Sequence, residues 1–264
     1  MNILEKIVKD KRKEVALKKS IVPSTQFEQS VMFERKGASL ASALRNSSIG
    51  IIAEHKRRSP SKSTINQNTN VGQVAKGYQK AGVCGMSVLT DIKYFGGSLE
   101  DLLLARASVD LPLLRKEFIV DEYQIVEAKA YGADAILLIA AILTKNEIKT
   151  FSELAKSLNM DVLLEVHNEG ELQKSIMPSL DMFGVNNRNL KTFEVSLETS
   201  KLLSTMIPND FVKVSESGIS SVEAIKELRL FGYQGFLIGE NFMKTDDPGK
   251  SAMTFINTLH KEDS

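Results

Sequence analysis

An acid and a base stand two residues apart where a short apolar segment of the chain ends. The segment starts at Ile51 and reaches Glu54, and Lys56 follows before a loop rich in serine. In a β-strand the side chains at i and i+2 point to the same face, so a carboxylate and an ammonium share one strand end. A surface ion pair is the plain interpretation. The alternative is a pair that transfers protons or binds a charged substrate.

Polar residues also end most of the other short apolar segments. They are Thr90 and Asp91, Lys116, Glu165 and His167, Asn186 and Arg188, Ser215 to Ser217, and Gly239 with Glu240. In a parallel barrel the carboxyl ends of the strands meet at one mouth, and catalytic groups come from those ends. One such residue would mean little, but the repetition predicts a shared active site.

The elements that must position these residues recur along the whole chain. Eight short apolar segments cover residues 50–54, 85–89, 111–116, 135–140, 161–166, 182–187, 210–215 and 235–239. Helical patterns separate them, for example over 122–131 and 222–231, and Gly132 and Gly232 are predicted to stop those helices. Near-continuous hydrophobicity is typical of parallel strands covered on both faces. The pattern predicts an α/β fold, a (β/α)₈ TIM barrel.

Residues 1–45 precede the first predicted strand and begin with an amphipathic pattern. Ile3, Leu4, Ile7 and Val8 share one helical face, and lysines surround it. We expect an N-terminal helical extension that caps the barrel, within one domain over residues 1–264. A basic helix that binds a partner is the alternative, but interspersed acidic residues favour a solvated helix.

Composition narrows the functional classes. The 264 residues are 42% hydrophobic, and 34 basic residues face 33 acidic ones, so no excess charge favours nucleic acid or a membrane surface. The single cysteine, Cys84, excludes an internal disulfide and suits a small buried side chain. The N-terminus lacks a secretory signal pattern, and the longest apolar run, 135–143, is too short for a bilayer. We expect a cytoplasmic protein that acts on a small molecule, either a monomer or a weak homodimer.

Two glycine motifs near the end of the chain are typical of a phosphate-binding site. Ser217-Gly218 follows the seventh predicted strand, and Gly239-Glu240 follows the eighth. Barrel enzymes often hold phosphate there through backbone N–H groups and a helix N-terminus. Ser59, after the first strand, is expected either to close over the same phosphate or to serve as a cap or turn residue.

The residues at the predicted strand ends resemble those of the indole-3-glycerol phosphate synthase family. The resemblance lies in 52–61, 88–91 with 94–98, 114–119, 164–167, 184–190, 215–219 and 238–240, in order along essentially the whole chain. It implies ring closure of 1-(2-carboxyphenylamino)-1-deoxyribulose 5-phosphate with loss of carbon dioxide and water, and it implies no metal or redox cofactor. Two alternatives remain. A sugar-phosphate isomerase would need the phosphate site but not the set of Glu54, Lys56, Lys116 and Glu165, and a non-catalytic barrel would need neither.

The resemblance also implies roles for individual residues. Lys116 would be the general acid on the carbonyl oxygen, and Lys56 would hold the carboxylate of the substrate and supply a proton in dehydration. Glu165 would stabilise charge near the nitrogen or take its proton. The rest of the implied catalytic set is Glu54, which would orient the lysines, Asn186, which would bind the reacting oxygen, and Ser217. The division of roles between the two lysines and between the two glutamates stays open.

Substrate-binding residues follow from the same resemblance. The phosphate would lie against Ser59, Ser217, Gly218, Gly239 and Glu240, and the aromatic ring would lie between Phe95, Phe118 and Leu190. Arg188 would either face the substrate or pair with Glu216, and we expect the pairing. Two departures from the family pattern are Ser63 in place of glycine, which bears on loop mobility, and Asn241-Phe242 in place of a smaller pair, which bears on the phosphate site.

Overall fold

Eight parallel strands close into one barrel in chain order. The computed structural model describes residues 2–190 and 192–263. The strands are β1 Ile51–His55, β2 Gly85–Leu89, β3 Leu113–Lys116, β4 Ala135–Ile139, β5 Asp161–Val166, β6 Met182–Asn186, β7 Val212–Glu216 and β8 Gly235–Ile238. Each strand pairs in parallel with the next, and β8 pairs with β1. The predicted (β/α)₈ TIM barrel is therefore confirmed.

Helices surround the barrel and also precede it. They are α1 Ile3–Ile21, α2 Ser24–Phe27, α3 Leu40–Arg45, α4 Val71–Ala81, α5 Ile92–Phe95, α6 Leu99–Ser108, α7 Glu122–Ala130, α8 Lys145–Ser157, α9 Glu169–Ser175, α10 Glu198–Ser204, α11 Val222–Arg229, α12 Glu240–Met243 and α13 Pro248–Asp263. A short 3₁₀ helix covers Ala140–Ile142. Gly132 and Gly232 follow α7 and α11 with φ of 84° and 81°, so both predicted helix stops adopt the left-handed conformation that glycine favours.

Two strands begin later than the sequence pattern predicts. β3 starts at Leu113, not at residue 111, because Pro112 has no N–H to donate to the sheet, although its carbonyl still accepts from Met86. β7 starts at Val212 because Phe211 closes a turn onto Pro208. β7 also extends to Glu216, which places that carboxylate at the end of the strand.

The strands bury both of their faces. One apolar cluster fills the barrel interior with residues such as Ile52, Leu114, Leu163 and Val214. A larger cluster packs the outer faces of the strands against the surrounding helices. Cys84 belongs to the interior cluster, as expected of a buried small side chain. This two-sided burial explains the near-continuous apolar segments in the sequence.

The N-terminal extension contacts both ends of the barrel. Leu40 and Leu44 of α3 belong to the interior apolar cluster and approach Gly85 and Gly235 at the amino ends of their strands, so α3 closes the floor. At the opposite end α1 lies over the mouth, where Ile3, Leu4 and Ile7 face the cavity. Within the described part of the chain, no helix has the length and apolar character needed to cross a bilayer.

Candidate active site

A cavity of about 390 Å³ opens at the carboxyl ends of the strands. Its base is apolar and comes from interior barrel residues such as Leu137, Ile139 and Leu237. The lining includes fourteen of the fifteen residues expected from the sequence: Glu54, Lys56, Ser59, Phe95, Lys116, Phe118, Glu165, Asn186, Arg188, Leu190, Ser217, Gly218, Gly239 and Glu240. Most come from strand ends and the loops that follow them, where barrel enzymes carry their catalytic groups.

Charged side chains at the carboxyl ends of β1, β3 and β7 form one network at the cavity. The Nζ of Lys116 lies 3.1 Å from Glu54 Oε2 and 3.0 Å from Glu216 Oε2. The other oxygen of Glu54, Oε1, lies 2.7 Å from Lys56 Nζ. The expected alignment of Glu54 and Lys56 on one face is therefore present, and Lys116 joins the same network.

The protonation of this network follows from burial and from its charges. Burial raises the pKa of Glu54, but Lys116 and Lys56 outweigh that effect and lower the pKa to about 2. For Lys116, burial opposes the charged form, whereas Glu216 and Glu54 attract it and raise its pKa. Burial raises the pKa of Glu216 to about 7; Lys116 opposes that rise, and Glu165 and Glu54 add to it. Lys116 is thus held as an ammonium beside one ionised carboxylate and one that titrates near neutral pH.

Glu165 is tied to His167, a histidine that was expected at the same strand end but was given no role in the reaction. His167 lies between two carboxylates, with Nε2 3.3 Å from Glu165 Oε1 and Nδ1 3.1 Å from Glu171 Oε2. The Nε2 contact is an ion-pair distance without a well-directed hydrogen bond. Burial opposes protonation, but both glutamates raise the pKa of His167 to about 10. The imidazolium, with Lys116 and Asn186, lowers the pKa of Glu165 against the effect of burial, so Glu165 stays ionised.

The expected ion pair between Arg188 and Glu216 is not formed, and that prediction is wrong. Arg188 lines the cavity and donates from Nη1 to the carbonyl of Phe193, while its backbone N–H donates to Asn186 Oδ1. Glu216 instead pairs with Lys116, because both side chains point into the barrel from their strand ends. Glu216 is the one expected site residue that does not line the cavity: it is 1% exposed.

The opposite end of the cavity has the backbone expected of an anion site. Ser217 and Gly218 follow β7 with φ of 66° and 79°. A residue with a Cβ pays about 1–2 kcal/mol for that conformation, and such strain clusters at functional sites. Gly239 stands at the end of β8, just before α12, and a Cβ there would collide with Glu54 Oε1.

Two further features shape this end. Lys62, in the loop after β1, forms an ion pair of 2.8 Å with Glu240 and connects that loop to the start of α12. Of the family departures, Asn241 lines the cavity and donates from Nδ2 to the carbonyl of Ser220, whereas Phe242 is fully buried. Ser63 is exposed in the loop after β1.

An apolar slot occupies the β2 and β3 side of the cavity. The rings of Phe95 and Phe118 lie 5.9 Å apart between centroids, at an interplanar angle of 41°. Leu190 lines the same cavity. The first turns of α1 add Ile3, Leu4 and Ile7, so the N-terminal helix forms a wall of the cavity. The expectation that the extension caps the barrel is borne out by these contacts.

Sequence reasoning missed several contributors to this site. Besides the role of His167 and the apolar residues of α1, they include Glu117, Phe193 and Val195 in the lining. A usable signal existed for His167, since it stands two residues after Glu165 on one strand face and four before Glu171. The sequence pattern indicated the apolar face of α1, but it did not show that this face lines the cavity at the mouth of the barrel. Among the residues described, no three histidine, cysteine, aspartate or glutamate side chains gather as metal ligands.

Solved structures of low sequence identity share the barrel. 3-Hexulose-6-phosphate synthase from Salmonella typhimurium aligns with a TM-score of 0.64 at 12% identity, covering 80% of this chain and 99% of that one. The tryptophan synthase alpha subunit from Legionella pneumophila aligns with a TM-score of 0.61 at 11% identity, covering 84% and 97%. At these identities the likeness concerns the fold alone.

Similar sequences identify the family, which the structural likeness alone does not. The family model described as indole-3-glycerol phosphate synthase matches residues 4–255. A protein of that name from Bacteroides thetaiotaomicron is 46% identical over 258 residues, covering 98% of this chain and 99% of its own. A second, from Koribacter versatilis, is 43% identical and covers 96% of this chain and 98% of its own. With a match over nearly its full length, the chain belongs to the indole-3-glycerol phosphate synthase family.

Proposed function

We propose that this chain converts 1-(2-carboxyphenylamino)-1-deoxyribulose 5-phosphate to indole-3-glycerol phosphate, carbon dioxide and water, a step of tryptophan biosynthesis. The observation that carries the proposal is the Lys116 ammonium, held between Glu54 and Glu216 in a cavity with an apolar slot and an anion-binding end. The substrate has a matching layout, since a ketone lies between its aryl and phosphate ends. Family membership supports the same assignment.

Ring closure needs an acid at the ketone oxygen. The ring carbon that bears the carboxylate attacks the carbonyl carbon, and the carbonyl oxygen becomes a hydroxyl as it takes a proton. Lys116 is the proposed donor, because its raised pKa keeps it charged until a strongly basic alkoxide develops. Asn186, at the end of β6, is proposed to hydrogen-bond the reacting oxygen.

Loss of carbon dioxide and then of water completes the reaction. The electrons of the bond to the departing carboxylate return to the ring, which neutralises the positive charge on the nitrogen. We assign Lys56 to the carboxylate of the substrate and to the proton that leaves with the hydroxyl. Glu165, ionised by its contacts with His167, is proposed to stabilise the cationic nitrogen and to accept the proton that the adjacent methylene carbon releases as the hydroxyl departs, which leaves an aromatic indole with its N–H. Glu54 positions both lysines, since each of its oxygens contacts one of them.

The two ends of the cavity are proposed to bind the two ends of the substrate. Backbone N–H groups of Gly218, Gly239 and Glu240, with the hydroxyls of Ser59 and Ser217, would bind the phosphate, and glycine permits the close approach. Phe95, Phe118 and Leu190 would hold the aromatic ring. Arg188 lines the cavity and is proposed to face the substrate.

We further propose a cytoplasmic protein whose residues 1–264 work as one domain, as a monomer or a weak homodimer. The balance of 34 basic and 33 acidic residues argues against a nucleic-acid partner, and the single cysteine suits a reducing compartment. Light scattering of the purified protein at several concentrations would measure the oligomeric state.

The function is tested by following indole fluorescence after the purified protein is mixed with the substrate. Lys116→Ala should lower kcat by about 10²- to 10⁴-fold, the usual contribution of a general acid, with little change in KM. The KM should hold because an acid that acts in the transition state adds little to ground-state affinity. Lys80→Ala, an exposed lysine at the end of α4, is the matched control and should retain the parent activity.

Two results would count against the proposal. If the folded parent protein forms no indole product, the assigned reaction is wrong, and another phosphate-binding barrel chemistry takes its place. If the parent is active and Lys116→Ala keeps its kcat, the reaction stands but the acid must be assigned elsewhere. Lys56 would then be the next residue to replace.

A further inference from the structure

A buried lysine of the N-terminal helix lies outside the proposed catalytic set. Lys11, on α1, is 2% exposed. Its Nζ lies 3.0 Å from Asp91 Oδ2, 3.3 Å from Glu117 Oε1 and 2.9 Å from Glu14 Oε2. Burial opposes its charged form, but Glu117 and Asp91 outweigh that effect and raise the pKa of Lys11. An ammonium with this many carboxylate partners holds several segments of chain together.

Each of its two buried partners also binds the backbone of a slot residue. Asp91 is the N-cap of α5, and its Oδ1 accepts from the N–H groups of Tyr94 at 2.6 Å and Phe95 at 3.3 Å. Glu117 Oε1 accepts from the N–H of Phe118 at 2.8 Å. The ammonium of Lys11 therefore stands between the two carboxylates that hold the two aromatic walls of the slot.

The electrostatics make this arrangement depend on the lysine. Asp91 and Glu117 are 1% and 4% exposed, and both contact the ammonium of Lys11, whereas Arg115 lies farther from Glu117, at 3.9 Å from its Oε2. Two buried carboxylates in one place repel each other unless a cation lies between them. Without Lys11, at least one of them would turn away from the other or move toward solvent. Either change would alter the hydrogen bond to Phe95 or to Phe118.

We propose that Lys11 is a positioning residue for the aryl end of the substrate: through Asp91 and Glu117 it sets the separation of Phe95 and Phe118. This inference rests on the proposed function, since it assumes that the slot takes the aromatic ring. A second contact from α1 to α5 supports it, because Asp10 Oδ2 lies 2.7 Å from Lys93 Nζ and 2.5 Å from Tyr94 Oη. Lys11 itself is not part of the cavity lining, so it acts on affinity through Asp91 and Glu117.

The test compares ligands for the two ends of the cavity. Anthranilate probes the aryl slot, inorganic phosphate probes the opposite end, and calorimetry measures both affinities for the parent, Lys11→Met, Lys11→Arg and Lys9→Met. Lys11→Met should weaken the binding of anthranilate by on the order of tenfold, since the interaction energies of coupled neighbours are typically of that size. The affinity for phosphate should not change. Lys11→Arg should restore most of the affinity because it returns the charge. Lys9→Met, on the exposed face of α1, should match the parent.

A simple anchoring role for Lys11 predicts different results. If the lysine only held α1 in place, its effect on anthranilate would add to that of Phe118→Leu in the double variant; if it acts through the slot, the two effects overlap. Additive effects, unchanged anthranilate affinity, or an equal loss for both ligands would each overturn the proposal.

A second variant covers the case in which Lys11→Met does not fold. Asp91→Asn keeps a good helix cap but removes the charge that faces Lys11. The affinity for anthranilate should therefore fall several-fold, while the affinity for phosphate stays the same. An unchanged affinity for anthranilate would overturn the proposal. Failure of the proposed function has a different signature. There the parent itself would form no indole product from the full substrate, whatever the variants do.

Discussion

Glu216 offers a quantitative test of the electrostatics at the barrel mouth. Its carboxyl is buried, its Oε1 has no hydrogen-bond partner, and its Oε2 lies 3.0 Å from Lys116 Nζ. Burial, with Glu165 and Glu54 nearby, raises its pKa to about 7. Glu216→Gln keeps the shape and the oxygen that accepts from Lys116 but removes the titration. The free energy of unfolding of this variant should therefore depend differently on pH.

The magnitude follows from the two ends of the titration. Below the ordinary carboxyl pKa of 4.5, Glu216 carries a proton in both the folded and the unfolded chain and has no effect on the pH dependence. Between pH 4.5 and about 7 the unfolded chain releases this proton while the folded chain keeps it, so the free energy of unfolding falls as pH rises. Each pKa unit is worth about 1.4 kcal/mol, so the penalty above pH 7 reaches about 3 kcal/mol.

Urea unfolding between pH 4.5 and 8.5 measures this difference. The stability of Glu216→Gln relative to the parent should rise by about 3 kcal/mol across that range, whatever its offset at pH 4.5. Glu169→Gln, an exposed glutamate on α9, is the matched control and should run parallel to the parent. A Glu216→Gln curve that also runs parallel to the parent would refute the argument, because Glu216 would then titrate at its ordinary pKa in the folded protein.

Three other changes test separate parts of the site. His167→Gln removes the cation beside Glu165, so steady-state kinetics should show kcat lower by about tenfold with little change in KM, and an unchanged kcat would contradict the assigned role. Gly239→Ala puts a Cβ against Glu54 and should cost about 1–3 kcal/mol of unfolding free energy in urea, with a lower kcat. Lys62→Ala breaks a half-exposed ion pair and should change the unfolding free energy by less than about 1 kcal/mol; a larger loss would show a stronger contact.

The barrel was predictable because its strands are buried on both faces. Ala135–Ile139 is a continuous apolar run, and Asp161–Val166 is apolar apart from its two acidic residues; the regular separation of such segments by helical patterns indicated strand-helix units. The ends of the strands were less predictable. The shift of β3 to Leu113 depends on Pro112, whereas the shift of β7 depends on a turn at Phe211.

The membership of the site was also predictable, but its pairings were not. Alternation along β1 was enough to align Glu54 with Lys56, since that relation is local. The partner of Glu216 was not local, and Arg188 was the wrong choice. Which residues meet across a closed barrel depends on the tilt and stagger of its strands, and these are properties of the whole sheet.

The sequence by itself determined that polar residues end apolar parallel strands, and this implied a barrel whose chemistry collects at one mouth. It also indicated an amphipathic helix before the barrel. Only the tertiary structure decided that Lys116 joins Glu54 to Glu216 and that Lys11 reaches Asp91 and Glu117. The physical reason is the separation along the chain: side-chain alternation relates residues two apart, whereas the charges that meet in these two networks come from distant elements, 100 residues apart in the case of Lys116 and Glu216.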